Sequence, residues 1–381
     1  MVFLIVHNEY SNKGGEESVV AFQKELLERH GHQVILYTRN YHEADKWFMG
    51  KAWTTITSVY NKRSIRDLEQ IIKQYNPEVA IIHNVFSIIS PAIIPFLKKH
   101  NIKVWQIVHN YRLFCPIGIF YSKGEICEKC LGKGREWNCW KNHCTGNKLS
   151  DLTFSWKFSK VRKRNYYKDV DRFYVLSNLQ KNKMMANSIA EEKIFFLPNA
   201  YGAEVVEDRQ PTGEKKYISF AGRLTEEKGF YDFLKIAKLL PEYSFCVAGD
   251  EKLVDKNIDI PSNVEFKGFL EKEEMYNFYK SSKVQLFLSK WYETFGLVVI
   301  EAMAKGTPAI VYDVSAAAEI VKDGENGFVV KTGDLNAVVE KIKLLCEDKS
   351  LYESMSISAK QRVRNDFSVE KYYERLMQEE K

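Results

Sequence analysis

The sequence predicts an α/β chain made of two doubly wound, parallel-sheet domains facing a central cleft. Short apolar runs alternate with longer helix-periodic segments from Val2 to Leu197, and a second such series begins at Tyr217. Between the two, residues 204–216 are polar, contain Pro211 and Gly213 and have little to bury, as linkers do. The chain has 381 residues, 45% of them apolar, enough for two domains with a core each. The predicted division is 1–200, 201–365 and a closing helical segment, 366–381.

In the first series, residues 2–6 read as a strand, 16–30 as a helix and 33–38 as a second strand. The opening run is too short for a signal peptide and lacks a basic flank, and no segment approaches the roughly 18 apolar residues of a membrane span. The expected compartment is the cytoplasm. Gly14 and Gly15 lie between the first strand and its helix, where paired glycines either let backbone approach a phosphate or simply turn the chain. Further strands fall at 79–83 and 103–109, with helices at 66–74 and 91–99 between them. Each strand closes on a polar pair, His83-Asn84 and His109-Asn110, at the carboxyl edge where ligands collect, and His109 is the stronger candidate for a role.

A polar insert over about 111–150 interrupts the alternation. Five of the seven cysteines fall within thirty residues of each other there. Cys127-x2-Cys130 followed by Cys139 and Cys144 suits a tetrahedral structural zinc better than a cytosolic disulfide framework, with separate thiols as the alternative. From Lys98 to Lys168 there are sixteen Lys or Arg against four Asp or Glu. Such a bias suits an anionic surface, such as a membrane face or a lipid-linked pyrophosphate, or is a solvated basic face. The helix expected over 151–168 interleaves aromatic and basic residues and either lies on such a surface or buries one stripe. No nucleic-acid reading motif accompanies it, so no nucleic-acid partner is expected. Asp169-Val170-Asp171 sits at the amino end of a strand over 172–177, the wrong edge for ligands, and reads as turn residues.

The second series predicts strands at 217–221, 244–248, 264–267, 284–288, 308–312 and 327–330, and closing helices at 335–346, 351–365 and 369–380. Its first turn runs from Gly222-Arg223 to Lys228-Gly229, with Lys228 entering the next helix. A planar guanidinium and a compact ammonium in one crevice suit a diphosphate. The stretch from Trp291 to Pro308 predicts a helix beginning near Phe295 and stopped by Gly306 and Pro308. Amides of Phe295, Gly296 and Leu297 would then form an anion seat at the positive end of the helix dipole. Glu293 before the helix and Glu301 within it are carboxylates beside that seat. Their natural task is to accept hydrogen bonds from sugar hydroxyls, unless both are solvated charges.

These motifs resemble family 4 glycosyltransferases of the GT-B fold, which have two Rossmann-like domains. The resemblance rests on Gly14-Gly15, on Gly222-Arg223 to Lys228-Gly229, on Glu293-Thr294-Phe295-Gly296-Leu297 through Glu301 to Gly306-Thr307-Pro308, and on Gly324-Glu325-Asn326-Gly327-Phe328. It implies a donor nucleotide-diphosphate sugar on the second domain and a hydroxyl acceptor on the first, the acceptor being a saccharide or a lipid-linked species of surface polysaccharide synthesis. Arg223 and Lys228 would neutralise the diphosphate, Glu301 would bond ribose hydroxyls, and Glu293 would hold the transferred sugar. His109 matches the family's cleft histidine, whose neighbour is Asp in many relatives and Asn110 here. Transfer would retain anomeric configuration without a catalytic cofactor or metal, and the last helix would cross back toward the first domain. The alternatives are a nucleotide-sugar epimerase or hydrolase of the same fold, and a non-catalytic binding subunit.

Overall fold

Phe3, Leu4, Ile5 and Val6 are all fully buried, so both faces of the first strand are covered. That is the environment of a central strand in a parallel sheet, where an apolar run need not alternate. The computed structural model describes residues 1–9, 15–40, 42–43, 50–86, 88–132, 134–202, 215–255 and 257–378. Gly14 and nearly all of the 204–216 linker lie outside them.

The first half comprises β1 (Val2–Glu9), α1 (Gly15–Arg29), β2 (Gln33–Asn40), α2 (Gly50–Thr57), α3 (Lys62–Tyr75), β3 (Val79–Ile82), α4 (Ile93–Lys99) and β4 (Lys103–Ile107). A short hairpin follows, β5 (Tyr121–Ser122) with β6 (Glu125–Ile126), then α5 (Asn138–Lys141), α6 (Lys148–Arg164), β7 (Arg172–Val175), α7 (Asn178–Met185) and β8 (Ile194–Phe196). Its six-stranded sheet has the order β2-β1-β3-β4-β7-β8. Every pairing in it is parallel, with Ile5 opposite Leu36 on one side and Ile81 on the other.

The second half comprises β9 (Tyr217–Ala221), α8 (Phe230–Leu239), β10 (Phe245–Ala248), β11 (Val264–Phe266), α9 (Lys272–Ser281), β12 (Ser282–Phe287), α10 (Leu297–Ala304) and β13 (Ala309–Tyr312). It closes with α11 (Ala317–Ile320), β14 (Gly327–Val330), α12 (Leu335–Glu347), α13 (Lys349–Asp366) and α14 (Val369–Met377). Its sheet is again six-stranded and parallel, in the order β11-β10-β9-β12-β13-β14. One large core fills it, including Phe220, Phe230, Phe233, Leu286 and Ile310. The chain divides into two units: Met1–Ser122, Cys127–Leu176 and Gln180–Leu197 form one, and Lys123–Ile126, Ser177–Leu179 and Pro198–Lys381 the other. Helix α14 is counted with the second.

Three local expectations change. Helix α6 starts three residues early because the Asn147 side chain accepts from the Leu149 and Ser150 amides, and it stops at Asn165, whose φ is 49°. Helix α10 begins at Leu297, two residues later than expected, because Gly296 sits at φ 142° and breaks the helical path. Lys228 belongs to a 3₁₀ turn, Glu226–Lys228, and not to α8; Gly229 at φ 78° separates the two.

Candidate active site

Polar residues gather where the first unit's strands end. β1 carries His7 and Asn8, β3 leads into His83 and Asn84, and β4 into His109 and Asn110, all at the carboxyl edge where open α/β sheets bind ligands. His83 Nδ1 lies 2.8 Å from His109 Nε2, and His83 Nε2 lies 2.8 Å from Gln23 Oε1. The two imidazole planes lie 17° from parallel with centroids 5.0 Å apart, so the rings meet edge to edge through that contact. Burial pushes His109 down to about 4 and His83 well below the usual histidine range, so both rings are neutral at pH 7. His7 is lowered by burial too, against the pull of Glu16 and Glu17. Gln106 fixes the end of β3 by donating to the Ile82 and His83 carbonyls.

Beside these histidines is a small open cleft, lined by His83, Asn84, His109, Asn110, Arg112 and Tyr167 among others. Asn110 donates to Glu16, 3.2 Å away, and its side-chain oxygen accepts from the Arg112 amide. This tie anchors the β4 loop to the start of α1. Gly15 is the first residue of α1, while Gly14 lies outside the described residues.

In the second unit, Lys228 Nζ donates to Glu293 Oε2 at 2.6 Å, and Ser289 Oγ donates to the same oxygen at 3.0 Å. Lys228 and Glu293 have side-chain exposures of 17% and 16%, so this pair is partly shielded from water. The Lys228 ammonium also lies 5.2 Å from the centre of the Trp291 ring. The turn holding Lys228 depends on Gly229, because a Cβ there would stand 2.0 Å from the Leu288 carbonyl oxygen. Arg223, expected beside Lys228, is 58% exposed and pairs with Glu227 at 3.3 Å.

Glu301, one turn into α10, accepts from the Tyr279 hydroxyl at 3.2 Å. Burial raises its carboxyl above the ordinary range and the tyrosine bond opposes that. At the start of α10 the Val299 amide bonds the Gly296 carbonyl, and the Gly296 and Leu297 amides precede any possible intrahelical partner. With the helix starting at Leu297, Phe295 belongs to the approach loop, its ring buried against Phe367. Gly222 ends β9.

In the insert, Cys127, Cys130, Cys139 and Cys144 line one small cavity with Cys115. The Asn142 amide reaches both Cys127 and Cys144 sulfurs at 3.9 Å, and a hydrogen bond from the Cys139 thiol lowers Cys144. Among the described residues, no group of three or more His, Cys, Asp or Glu is arranged to hold a metal ion. The basic run of α6 is partly turned inward. Arg162 donates to the Phe114, Cys130 and Gly132 carbonyls and to Glu136, while Lys157 is pulled down to about 8 by burial near Arg112. Asp171 accepts from Lys98 and from the Val104 amide, as a turn residue at the amino edge does.

Sequence reasoning missed Gln23, although its position gives it away: Val19, Val20, Gln23, Leu26 and Leu27 are the buried stripe of α1. Tyr279 and Ser289 carried no such signal.

Residues 204–362 match the family model described as "Glycosyl transferases group 1". That match lies within the second unit. Among curated proteins, the chain is 25% identical over 305 residues to an uncharacterized 42.6 kDa protein in the cps region of Klebsiella pneumoniae, covering 78% of this chain and 74% of that one. It is 29% identical over 171 residues to the capsular polysaccharide biosynthesis glycosyltransferase CapM of Staphylococcus aureus, covering 42% and 44%. Among solved structures, sucrose-phosphate synthase from Thermosynechococcus elongatus superposes with a TM-score of 0.72 at 16% identity, covering 99% of this chain and 97% of that one. Anabaena HepE in complex with UDP gives 0.65 at 14% identity, covering 99% and 98%. The fold is GT-B.

Proposed function

We propose that the protein transfers a sugar from a nucleoside-diphosphate sugar to a hydroxyl acceptor, with the donor on the second unit. The observation that carries this is the Lys228–Glu293–Ser289 arrangement beside the opening of α10. Lys228 spends one of its three donors on Glu293 and keeps two for an anion. The amides at the start of α10 add fixed positive potential where charge grows on a departing diphosphate, so chain groups can stabilise the leaving group themselves. HepE, of the same fold, was solved in complex with UDP, which supports a nucleotide as part of the donor.

Retention would proceed by substitution on one face of the sugar, with a leaving phosphate oxygen removing the acceptor proton. Glu293, already held by Lys228 and Ser289, positions the sugar and does not attack it. A covalent sugar adduct on Glu293 trapped during turnover would refute this. The acceptor is proposed to be a saccharide or lipid-linked species, in keeping with the capsular assignment of CapM. Leu149 is 70% exposed, and Trp140 and Leu152 are exposed near Lys141 and Lys148, a combination suited to an anionic bilayer surface. Flotation with anionic vesicles should drop when Lys141, Lys148, Lys160 and Lys163 are all changed to Glu.

The deciding experiment is thermal stabilisation against a panel of nucleoside diphosphates and their sugars, since a ligand specific for the folded state raises the melting temperature. A response to one base that is lost in Glu301→Ala and weakened in Arg223→Ala supports the donor site. No response to any member would overturn it.

A further inference from the structure

We propose that Tyr279 is a positioning residue whose hydroxyl orients the Glu301 carboxylate, so that recognition of a ribose at the proposed donor site depends on a buried phenol. The inference rests on the donor reading, with Glu301 at the ribose.

Tyr279 lies in the last turn of α9, buried in a cluster with Ala221, Cys246, Ala248, Phe278 and Ala302. Its backbone is pinned from below α10. The Thr307 hydroxyl lies 2.9 Å from the Tyr279 carbonyl oxygen, and Lys215 Nζ donates to Thr307 Oγ1 at 2.9 Å and to the Lys305 carbonyl at 3.2 Å. The end of α9 is thus tied to the end of the helix that carries Glu301. From this fixed base the Tyr279 hydroxyl reaches Glu301 Oε2 at 3.2 Å. Burial keeps the phenol protonated, so the phenol donates and the carboxylate accepts.

The Glu301 carboxylate makes no other hydrogen bond or ion pair among the described residues, and its Oε1 is not sealed from solvent. A mostly buried carboxylate with one donor of its own chain gains from a second. The last torsion of a glutamate is broad, so nothing within the side chain aims Oε1; the bond to Tyr279 does. A ribose hydroxyl can then donate to Oε1, whereas a deoxyribose carbon leaves that oxygen unpaired.

The test is calorimetric titration of the full chain with UDP, GDP and ADP, and with the 2′-deoxy and 3′-deoxy forms of whichever binds. Tyr279→Phe removes one buried oxygen and keeps the ring. It should weaken the ribonucleotide about tenfold and leave at least one deoxy form unchanged, because that form lacks the hydroxyl whose bond the phenol orients. Equal weakening of the ribonucleotide and both deoxy forms would make Tyr279 merely structural and overturn the proposal, as would an undiminished ribonucleotide affinity. A wild type that binds the ribonucleotide and both deoxy forms alike also overturns it, while the donor reading stands. A wild type that binds no nucleotide overturns the donor reading and this proposal together. Proton NMR of the wild type decides the matter even if the variant does not fold. The buried Tyr279 hydroxyl proton should shift when the ribonucleotide binds, because the ribose draws on the same carboxylate charge. A hydroxyl proton unmoved by bound ribonucleotide overturns the proposal.

Discussion

A histidine kept neutral by burial makes the native state sensitive to acid. His109 has its folded pKa lowered to about 4 from an unfolded value of 6.5, so its contribution is intact above about pH 6.5. As pH falls from there, the unfolded chain takes up a proton that the native state refuses, and stability drops by roughly 1.4 kcal/mol per unit, about 3 kcal/mol in all by pH 4. His83 acts in the same direction. Glu16 and Glu301, raised by burial, act oppositely, losing stability as pH rises above about 4.5. The clean measurement is therefore a difference. Urea midpoints for wild type and His109→Gln should diverge less at pH 5 than at pH 7.5, because the variant lacks the acid-sensitive ring. The two cations of the proposed donor site should separate just as clearly. Lys228→Ala leaves Glu293 partly buried without its partner and should cost about 3 kcal/mol, recovered in part by adding Glu293→Gln. Arg223, mostly exposed, should cost under about 1 kcal/mol when changed to Ala, although nucleotide affinity falls.

Elements were most legible where burial and pattern agreed. β1, β3, β9, β13 and β14 are short apolar runs, and their bounds come within a residue or two of the sequence reading, apart from a longer end to β1. Helix α2 escaped notice because Thr54, Thr55, Ile56 and Thr57 are β-branched residues of modest helix propensity; packing, with Thr54 and Thr57 buried, outweighs that. Helix α9 was also missed, although Glu271 and Glu274 form a readable capping box before it. At the start of α10, no periodicity could announce that Gly296 adopts φ 142°, and so the helix starts two residues later than read. Turns respond sharply to substitution for the same geometric reason. Gly229→Ala would force a Cβ against the Leu288 carbonyl at positive φ, and should cost about 3 kcal/mol or more in chemical denaturation while displacing Lys228. In the insert, five thiols around one cavity favour a zinc ion that draws the sulfurs together on binding, and we propose this for Cys127, Cys130, Cys139 and Cys144. Purified protein should then contain one zinc per chain, and its removal by chelator should lower the melting temperature. Metal-free protein of unchanged stability would leave the insert as separate thiols.

At the scale of the whole molecule, each unit owns a complete six-stranded sheet and its own buried core, and this follows from two alternating series separated by a polar stretch. What could not be read was the network linking distant segments of one unit, since Gln23, His83 and His109 are brought together only by strand order β1-β3-β4 and the packing of α1. The proposed division of labour has a thermodynamic signature. Domains with separate cores can unfold as separate units, and a ligand stabilises only the unit that binds it, by RT ln(1 + [L]/Kd). Calorimetry of the full chain should show two transitions, and a nucleoside diphosphate at about 100 times its dissociation constant should add roughly 2.7 kcal/mol to one of them. Glu301→Ala should remove that increment from the responsive transition. The other transition should instead follow the pH, moving down between pH 6.5 and 5 as the buried histidines of the first unit resist protonation. If nucleotide and acid moved the same transition by the same amounts, the nucleotide would not be confined to the second unit and the donor assignment would fail.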